Sequence, residues 1–589
     1  MTSIRRTSQT LANSILQQPT LLVTAGMLLT ILWLMVLPVR QGFSAADSSL
    51  LSVATPLTIV TLLLLWFYQK PFRLSTIDFL VAGCALYFFL RAWSSSDYSC
   101  ALPVFRVASL LILYVGLRFL FSAVRTPLIF IKTVLLLFSC IECLICMWQI
   151  AVGRSHHAHY LFTGSFLNPA PCSVAFIMSI TLSLYSFFTT ISSKNHVLQR
   201  LWKILLSVSL ILSLLLLPIG WSRSAVVSGI FCFILATWKH THKHVRFFIV
   251  ALLLILTPLL YLLKQGSADG RILFYLTSAL SFAHHPIWGS GIGSFFHAYS
   301  IQIQNLQGQL PDKLFAHADT IEYALSDFSL IGVEQGGVGF LLFLTLLYTI
   351  LARLSKCSRP LALSFLSVTI CSFFSYPLQL LPFQLLFVLL AAFACSQDKS
   401  DERTNTPSNR KGFFKATAIC ICALTGSLLL RSPINKYVQA SQMSTLIIGH
   451  NNDRFIEYYR QIYPFMQGDT QFLFRYGQLF ADRKRWNESN AVLLQGISQS
   501  NDAMFYVVLG NNYLQLQAYA DAEHCYKTAH ALSPARLYPL YKLMLFYEHT
   551  GNIKQAAQTA QVLLRMRPIT QSPMTRQILH EASRRVYRQ

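Results

Sequence analysis

The chain has 589 residues, 54% of them hydrophobic and only 12% charged. A soluble domain carries roughly 25% charge, so this composition excludes an ordinary soluble protein. The formal net charge of +24 would point a soluble chain towards nucleic acid. Here the basic residues gather in loops between apolar runs, and no nucleic-acid partner is expected.

Taken in order, Arg5 and Arg6 precede an apolar run at 21–37. It is too long for the apolar part of a signal peptide, and no small-residue cleavage site follows, so it reads as the first membrane helix. Apolar runs then centre near Leu62, Leu86, Leu111, Leu137, Ile180, Leu210, Ile230, Leu254, Leu344, Leu366, Phe387 and Leu424. With the first, near Leu29, they make about thirteen spans of an all-α polytopic bundle. Basic loop residues fall on alternate sides: Lys70 and Arg73, Arg118 and Arg125, Lys194 to Lys203, Lys239 to Arg246, Arg353 to Arg359, and Lys399 to Lys415. All share the side of Arg5 and Arg6, which the positive-inside rule makes cytoplasmic. The long polar loop 265–335 then lies outside the cytoplasm, as does everything after Arg431.

Cys140, Cys143 and Cys146 share a span at helical spacing and read as small apolar surface residues, with no metal site. Glu142, with Gln149 two turns on, is an intramembrane carboxylate that is either functional or structurally paired. His156, His157 and His159 read as a solvated loop. Arg40, Arg91, Arg106, Arg154, Arg223 and Arg271 give the outward side a set of planar guanidinium forks suited to phosphate. Loop 265–335 adds His284, His285, the run Gly289, Gly291 and Gly293, then His317, Asp319, Glu322, Asp327 and Glu334. Those glycines serve either a close backbone approach or a tight turn.

After a polar linker at 397–412 and one more span, the tail 432–589 reads as soluble helices. Tyr506, Leu509, Gly510, Tyr513, Ala522, Tyr526, Ala529 and Pro534 fit the tetratricopeptide (TPR) spacing. Leu540, Leu543, Tyr547, Ala556 and Pro568 repeat it, and Gly477, Phe480 and Trp486 mark an earlier unit. Such a tail is either a docking surface for a protein partner or a structural cap.

Four motifs carry a resemblance. They are Thr163-Gly164-Ser165-Phe166-Leu167-Asn168-Pro169; Ser222-Arg223-Ser224-Ala225; Arg271 with Pro286-Ile287-Trp288-Gly289-Ser290-Gly291-Ile292-Gly293; and His317-Ala318-Asp319 before Leu330-Ile331-Gly332. In this order the chain resembles the O-antigen ligase and polymerase family over roughly residues 20–395. A TPR tail is similar to that of some bacterial members. The resemblance implies a GT-C-like glycosyltransferase of the bacterial inner membrane. Residues 1–431 would form the ligase-like membrane domain and 432–589 the outer TPR domain.

It further implies transfer of a glycan from an undecaprenyl-diphosphate carrier to lipid A core, protein or another glycan, within membrane lipid and without a cofactor. The family's functional arginines fall on Arg223 and Arg271, and its histidine on His317. The family's His-Asn-Asp stretch here reads His317-Ala318-Asp319. Arg91, Arg154, Asn168, Asp319, Asp327 and Glu334 are the substrate-binding candidates. The chemistry is consistent with these residue types. A departing diphosphate needs preorganised cations, and an acceptor hydroxyl needs a base that works near neutral pH, with Asp319 and Asp327 as rivals to His317. A flippase of lipid-linked glycans and a non-catalytic assembly factor are the alternatives.

Overall fold

A computed structural model describes residues 25–38, 45–68, 74–95, 101–123, 128–156, 160–187, 196–220, 222–237, 265–397, 410–446, 453–566 and 572–586. Among the described residues all regular structure is helical, with no strand, as the all-α expectation requires. The apolar helices are α1 (Ala25–Val36), α2 (Ala45–Tyr68), α3 (Thr76–Ser94), α4 (Ala101–Ala123), α5 (Leu128–Val152), α6 (Pro169–Phe187), α7 (His196–Leu216) and α8 (Arg223–Thr237). The polar loop supplies α9 (Gln265–His284), α10 (Phe295–Asn305) and α11 (Asp312–Phe315). Apolar helices resume with α12 (Asp327–Cys357), α13 (Arg359–Phe374), α14 (Leu381–Ser396) and α15 (Arg410–Leu446).

Seven of these, α3 to α7, α12 and α15, are long and apolar enough to cross a membrane; α1, α2, α8, α13 and α14 carry shorter apolar stretches. Helices of 15 or 16 residues, such as α8, α13 and α14, reach only about 24 Å against roughly 30 Å of hydrocarbon. Every apolar centre read from the sequence falls on one of these twelve helices except Leu254, which lies outside the described residues. The last apolar helix differs from expectation. It does not stop at Arg431 but continues through Pro433 to Leu446.

The chain clusters into two compact units. One takes in 1–87, 104–249 and 341–438; the other takes in 88–103, 250–340 and 439–589. The polar loop therefore groups with the tail.

In the first unit α6 packs against α5, α7, α8 and α13. Its sequence is rich in serine, and hydroxyls join the helices. Ser139 of α5 donates to the Ala175 carbonyl at 2.9 Å, and Ser364 of α13 donates to that of Met178 at 3.0 Å. Ser228 of α8 donates to the Ser367 carbonyl at 2.6 Å, and Ser179 meets Ser209 of α7. Small hydroxyl residues let apolar helices approach and give them directional contacts where burial of apolar surface drives little association. Arg118, read from sequence as a loop residue, lies inside α4 and is buried. Its Nε is 3.2 and 3.3 Å from the Asp78 carboxylate oxygens, and the Tyr114 hydroxyl donates to the same group at 2.6 Å. A buried charge in such a helix persists only when paired and hydrogen-bonded.

The second unit is organised by an interruption in α12. Gly336 has φ 66° and ψ −168°, which breaks the helix. In an unbroken helix the Gly337 N–H would bond the Val333 carbonyl, and that of Val338 the Glu334 carbonyl. Instead Gly337 donates to Pro286 at 2.8 Å and Val338 to Ile287 at 3.3 Å. The released carbonyls accept from the chain just beyond: Val333 from Ser290 at 2.8 Å and Glu334 from Gly291 at 3.0 Å. Two stretches of backbone approach this closely because neither has a side chain at the crossing. A Cβ on Gly289 (φ +75°) would sit 2.4 Å from the Glu334 carbonyl, and one on Gly336 2.3 Å from the Ile287 oxygen. The glycine run thus serves a close backbone approach, and its partner is the broken helix.

The tail continues with α16 (Asp453–Met466), α17 (Thr470–Asp482), α18 (Trp486–Ile497), α19 (Ala503–Gln515), α20 (Tyr519–Leu532), α21 (Leu537–His549), α22 (Ile553–Arg565) and α23 (Pro573–Val586), each packed on the next. Aspartate or asparagine caps start three of them: Asp469 accepts from the Phe472 N–H, Asp502 from Met504 and Asn552 from Gln555. Three helix pairs each close through one residue with left-handed backbone: Lys484, Gln517 and Gly551, 33 and 34 residues apart. Loop and tail share an apolar core, in which Phe274, Phe295 and Tyr299 meet Ala503, Val507 and Leu532.

Gly289→Ala and Gly336→Ala should each destabilise the folded protein by at least about 3 kcal/mol, summing left-handed strain and overpacking. Gly308→Ala, also at positive φ but with open space around it, should cost only about 1–2 kcal/mol. Thermal unfolding in detergent, with membrane yields measured in parallel, checks both.

Candidate functional site

His317 lies in a stretch without regular structure between α11 and α12. It rests on the first two turns of α9, whose glycines make room for it. A Cβ on Gly266 would meet the imidazole Cε1 at 2.9 Å, and one on Gly270 would stand 3.6 Å from the His317 Cβ. Asp269, between them, brings its Oδ2 to 3.9 Å from His317 Nε2. The carboxylate side chain is 6% exposed and the imidazole 34%. The solvent-reachable imidazole thus lies beside a buried carboxylate, at ion-pair but not hydrogen-bond distance. Arg271 follows Gly270 in the same helix and is half-buried. One turn on, its guanidinium opposes the burial that raises the pKa of Tyr275. His317, Asp269 and Arg271 are therefore gathered around the start of one 20-residue helix.

Arg223 opens α8 in the other unit, half-buried, between Ser222 and Ser224, whose hydroxyls are 3.1 Å apart. Arg154 is exposed just past the end of α5. There Gly153, at φ +67°, closes the helix, and the Arg154 N–H bonds the Gln149 carbonyl. Asp327 is buried in the first turn of α12.

Three other candidates hold backbone, and a fourth, Asp319, is held by the tail. Asn168 accepts from the Ala170 N–H at 2.9 Å and so caps α6, with Pro169 as its first residue. Arg91 donates to the Gly289 carbonyl at 3.0 Å and to the Ser94 hydroxyl at 2.8 Å. Beside it, Ser95 accepts from the Ile292 N–H at 3.1 Å. The end of α3 thus clamps the glycine turn. Glu334, buried, accepts from the N–H groups of Gly293 at 3.0 Å and Phe295 at 3.4 Å. That places a carboxylate at the N-terminus of α10, where backbone donors and dipole favour it. Asp319 faces the tail: Arg536 donates to it from Nε at 2.8 Å and from Nη2 at 3.2 Å, and Ser533 from its hydroxyl at 3.1 Å.

Among the described residues Glu142 has no basic partner within ion-pair distance. It accepts from the Ser165 N–H at 3.1 Å and the Ser165 hydroxyl at 2.6 Å. Gln149 takes the Thr163 and Gly164 N–H groups at 2.8 and 2.9 Å and donates to the Gly164 carbonyl at 2.9 Å. Gly164 has φ +64°, and a Cβ there would stand 2.4 Å from the Glu142 carboxylate. The Thr163-Gly164-Ser165 turn is thus fastened to α5 by two side chains on one helical face. His156 is exposed; His157, His159, Arg40 and Trp221 lie outside the described residues.

Asp269 and Arg536 are absent from the sequence reading. The signal for Asp269 was present: a carboxylate two residues before Arg271, between glycines four apart. No local pattern marks Arg536, because its partner is 217 residues away. Comparison with models of known protein families finds none that matches the chain, and comparison with curated proteins finds no match either. Among the described residues the fold is all-helical, with seven helices long and apolar enough to cross a membrane.

Glu142→Ala removes both acceptors of the Ser165 turn and should cost about 1–3 kcal/mol for the buried donors it strands. Glu142→Gln keeps one carbonyl oxygen and should cost less. The order of unfolding temperatures in detergent tests this.

Proposed function

We propose that this chain transfers a glycan from an undecaprenyl-diphosphate carrier to an acceptor hydroxyl at the outer face of a bacterial inner membrane, as a ligase or polymerase. The observation that carries the reading is the grouping of His317, Asp269 and Arg271 around the start of α9 in a chain otherwise rich in apolar helices. The imidazole takes the acceptor proton as the oxygen attacks the anomeric carbon, and the Asp269 carboxylate, 3.9 Å away, faces the charge the ring gains. The bond from that carbon to the diphosphate breaks. Arg271 binds the departing oxygens with paired N–H donors, and Arg223 is the second diphosphate-binding arginine that the resemblance implies. The acceptor is lipid A core, a protein or a second glycan, and no metal or other cofactor enters the scheme. In this reading Arg91 and Glu334 shape the site through the backbone they hold, and Asn168, Arg154 and Asp327 stay substrate-binding candidates on the sequence alone.

The reading includes about thirteen spans with the N-terminus in the cytoplasm, and a tail of tetratricopeptide type outside it. The 33- and 34-residue recurrence of Lys484, Gln517 and Gly551, with Gly510 against the Tyr526 ring and Gly477 against Leu493, supports that assignment of the tail. One observation favours a transporter of lipid-linked glycans instead: interrupted helices such as α12 are typical of transport sites. Here the freed backbone groups at the break bond to residues 286–291, which leaves them satisfied without a ligand.

Glycan transfer in a deletion strain complemented with variants, at protein levels matched by blot, tests the reading. His317→Ala should lower transfer by about 10²–10⁴-fold. Gly266→Ala, which crowds the imidazole, should lower it less. Arg271→Lys and Arg223→Lys keep charge but lose the fork and should both fall steeply. Normal transfer by His317→Ala, Arg271→Ala and Arg223→Ala overturns the mechanism. Movement of carrier in vesicles with no change in glycan attachment selects the transporter. Reporter fusions at Gly412 should read cytoplasmic and fusions after Leu446 periplasmic; both on one side would refute the topology.

A further inference from the structure

The stretch 316–326 carries the base of the proposed reaction but has no regular structure of its own. At its start the backbone makes two local bonds, from the His317 and Ala318 N–H groups back to Leu314 and Phe315. What grips it next is the tail. Ala318 is buried in the core shared with α19 and α20. The Asp319 carbonyl accepts from the Asn501 amide at 3.3 Å, ahead of α19. Its carboxylate is held in the two-pronged grip of Arg536 and by Ser533, both in the turn between α20 and α21. Asp319 is thus fixed through both backbone and side chain, from two different turns of the tail, two residues after His317. A planar guanidinium bound by two N–H donors fixes direction as well as distance.

We infer that Arg536, with Ser533 and Asn501, is a positioning residue for His317: the tail sets the place of the base through Asp319 and does not itself touch substrate. The inference rests on the glycan-transfer reading. It assigns the tail's turns an intramolecular task. An external partner that displaced Arg536 from Asp319 would therefore lower turnover.

The test uses the full chain in detergent or nanodiscs, with two readouts. Hydrogen exchange of the peptide covering 316–326 reads the grip itself. Initial rates of glycan transfer read its consequence, split into kcat and donor KM. Arg536→Ala should speed exchange of that peptide by about ten-fold while peptides of α20 and α21 keep wild-type protection. Its kcat should fall by about ten-fold with donor KM little changed, as expected when a reacting group is misplaced and substrate binding is kept. The reversed pair Asp319→Arg with Arg536→Asp should recover most of both, which general damage to the tail would not allow. His317→Ala is run beside them. If it is inactive while Arg536→Ala exchanges and turns over like wild type, the inference is overturned and the transfer reading stands. Faster exchange with unchanged kcat overturns it equally, as does failure of the reversed pair to recover either quantity. If His317→Ala itself turns over normally, the transfer reading falls and this role falls with it.

Discussion

The second unit depends on one exchange of backbone hydrogen bonds. Where α12 breaks at Gly336, two N–H groups and two carbonyls lose their helical partners, and residues 286–291 supply replacements for all four. A buried backbone group left unbonded costs free energy comparable to a lost hydrogen bond. The break and the glycine turn are therefore mutually obligatory. The crossing also fixes everything attached to it. Arg91 reaches the turn through the Gly289 carbonyl, and the Glu334 carboxylate starts α10. The aromatic residues of α10 then meet those of α9, Phe295 against Phe274 at 5.8 Å. Along that route the interruption in an apolar helix determines where α9 lies, and α9 seats His317.

Ionisable residues in an apolar chain invite a functional reading, and the structure divides them by what they touch. Glu142, Glu334 and Asp78 accept bonds from backbone, hydroxyl or guanidinium groups that would otherwise be stranded. Asp319 is held by an arginine of the tail. The imidazole of His317, over a buried Asp269, is open to solvent. The distinction rests on access and on partners, and residue type alone does not give it.

The helical class was legible because apolar runs are long and turn residues punctuate them; twelve of thirteen centres fall on described helices. The end of α15 was not legible, since the change from apolar to polar composition near Arg431 does not interrupt helical hydrogen bonding, even at Pro433. The period of the tail was visible in Gly477, Gly510 and the prolines. Yet two of its left-handed turn positions carry Lys484 and Gln517, where glycine would have announced them. The sequence proposes His317 and Arg271 together with Asn168, Arg91 and Glu334; the first two lie around the start of α9, and the other three bond backbone. Those bonds join residues distant in sequence or serve a helix start, and spacing along a single chain carries little information about either.

The apolar face of the polar loop and its cover on the tail are made at different times. Asp319 leaves the ribosome 217 residues before Arg536, an interval on the order of 10–40 s at roughly 5–20 residues per second. Throughout it Phe274, Phe295 and Tyr299 lack the tail residues that share their core. A nascent chain in this state presents the exposed aromatic surface that chaperones bind and proteases sample. The long-range pairing makes assembly slow by nature, because loop-closure entropy is lost before the contacts that reward it exist. Completion of the loop is thus a late, chain-terminal event, and a ribosome that stalls before the tail releases a product whose 316–326 segment has never been gripped.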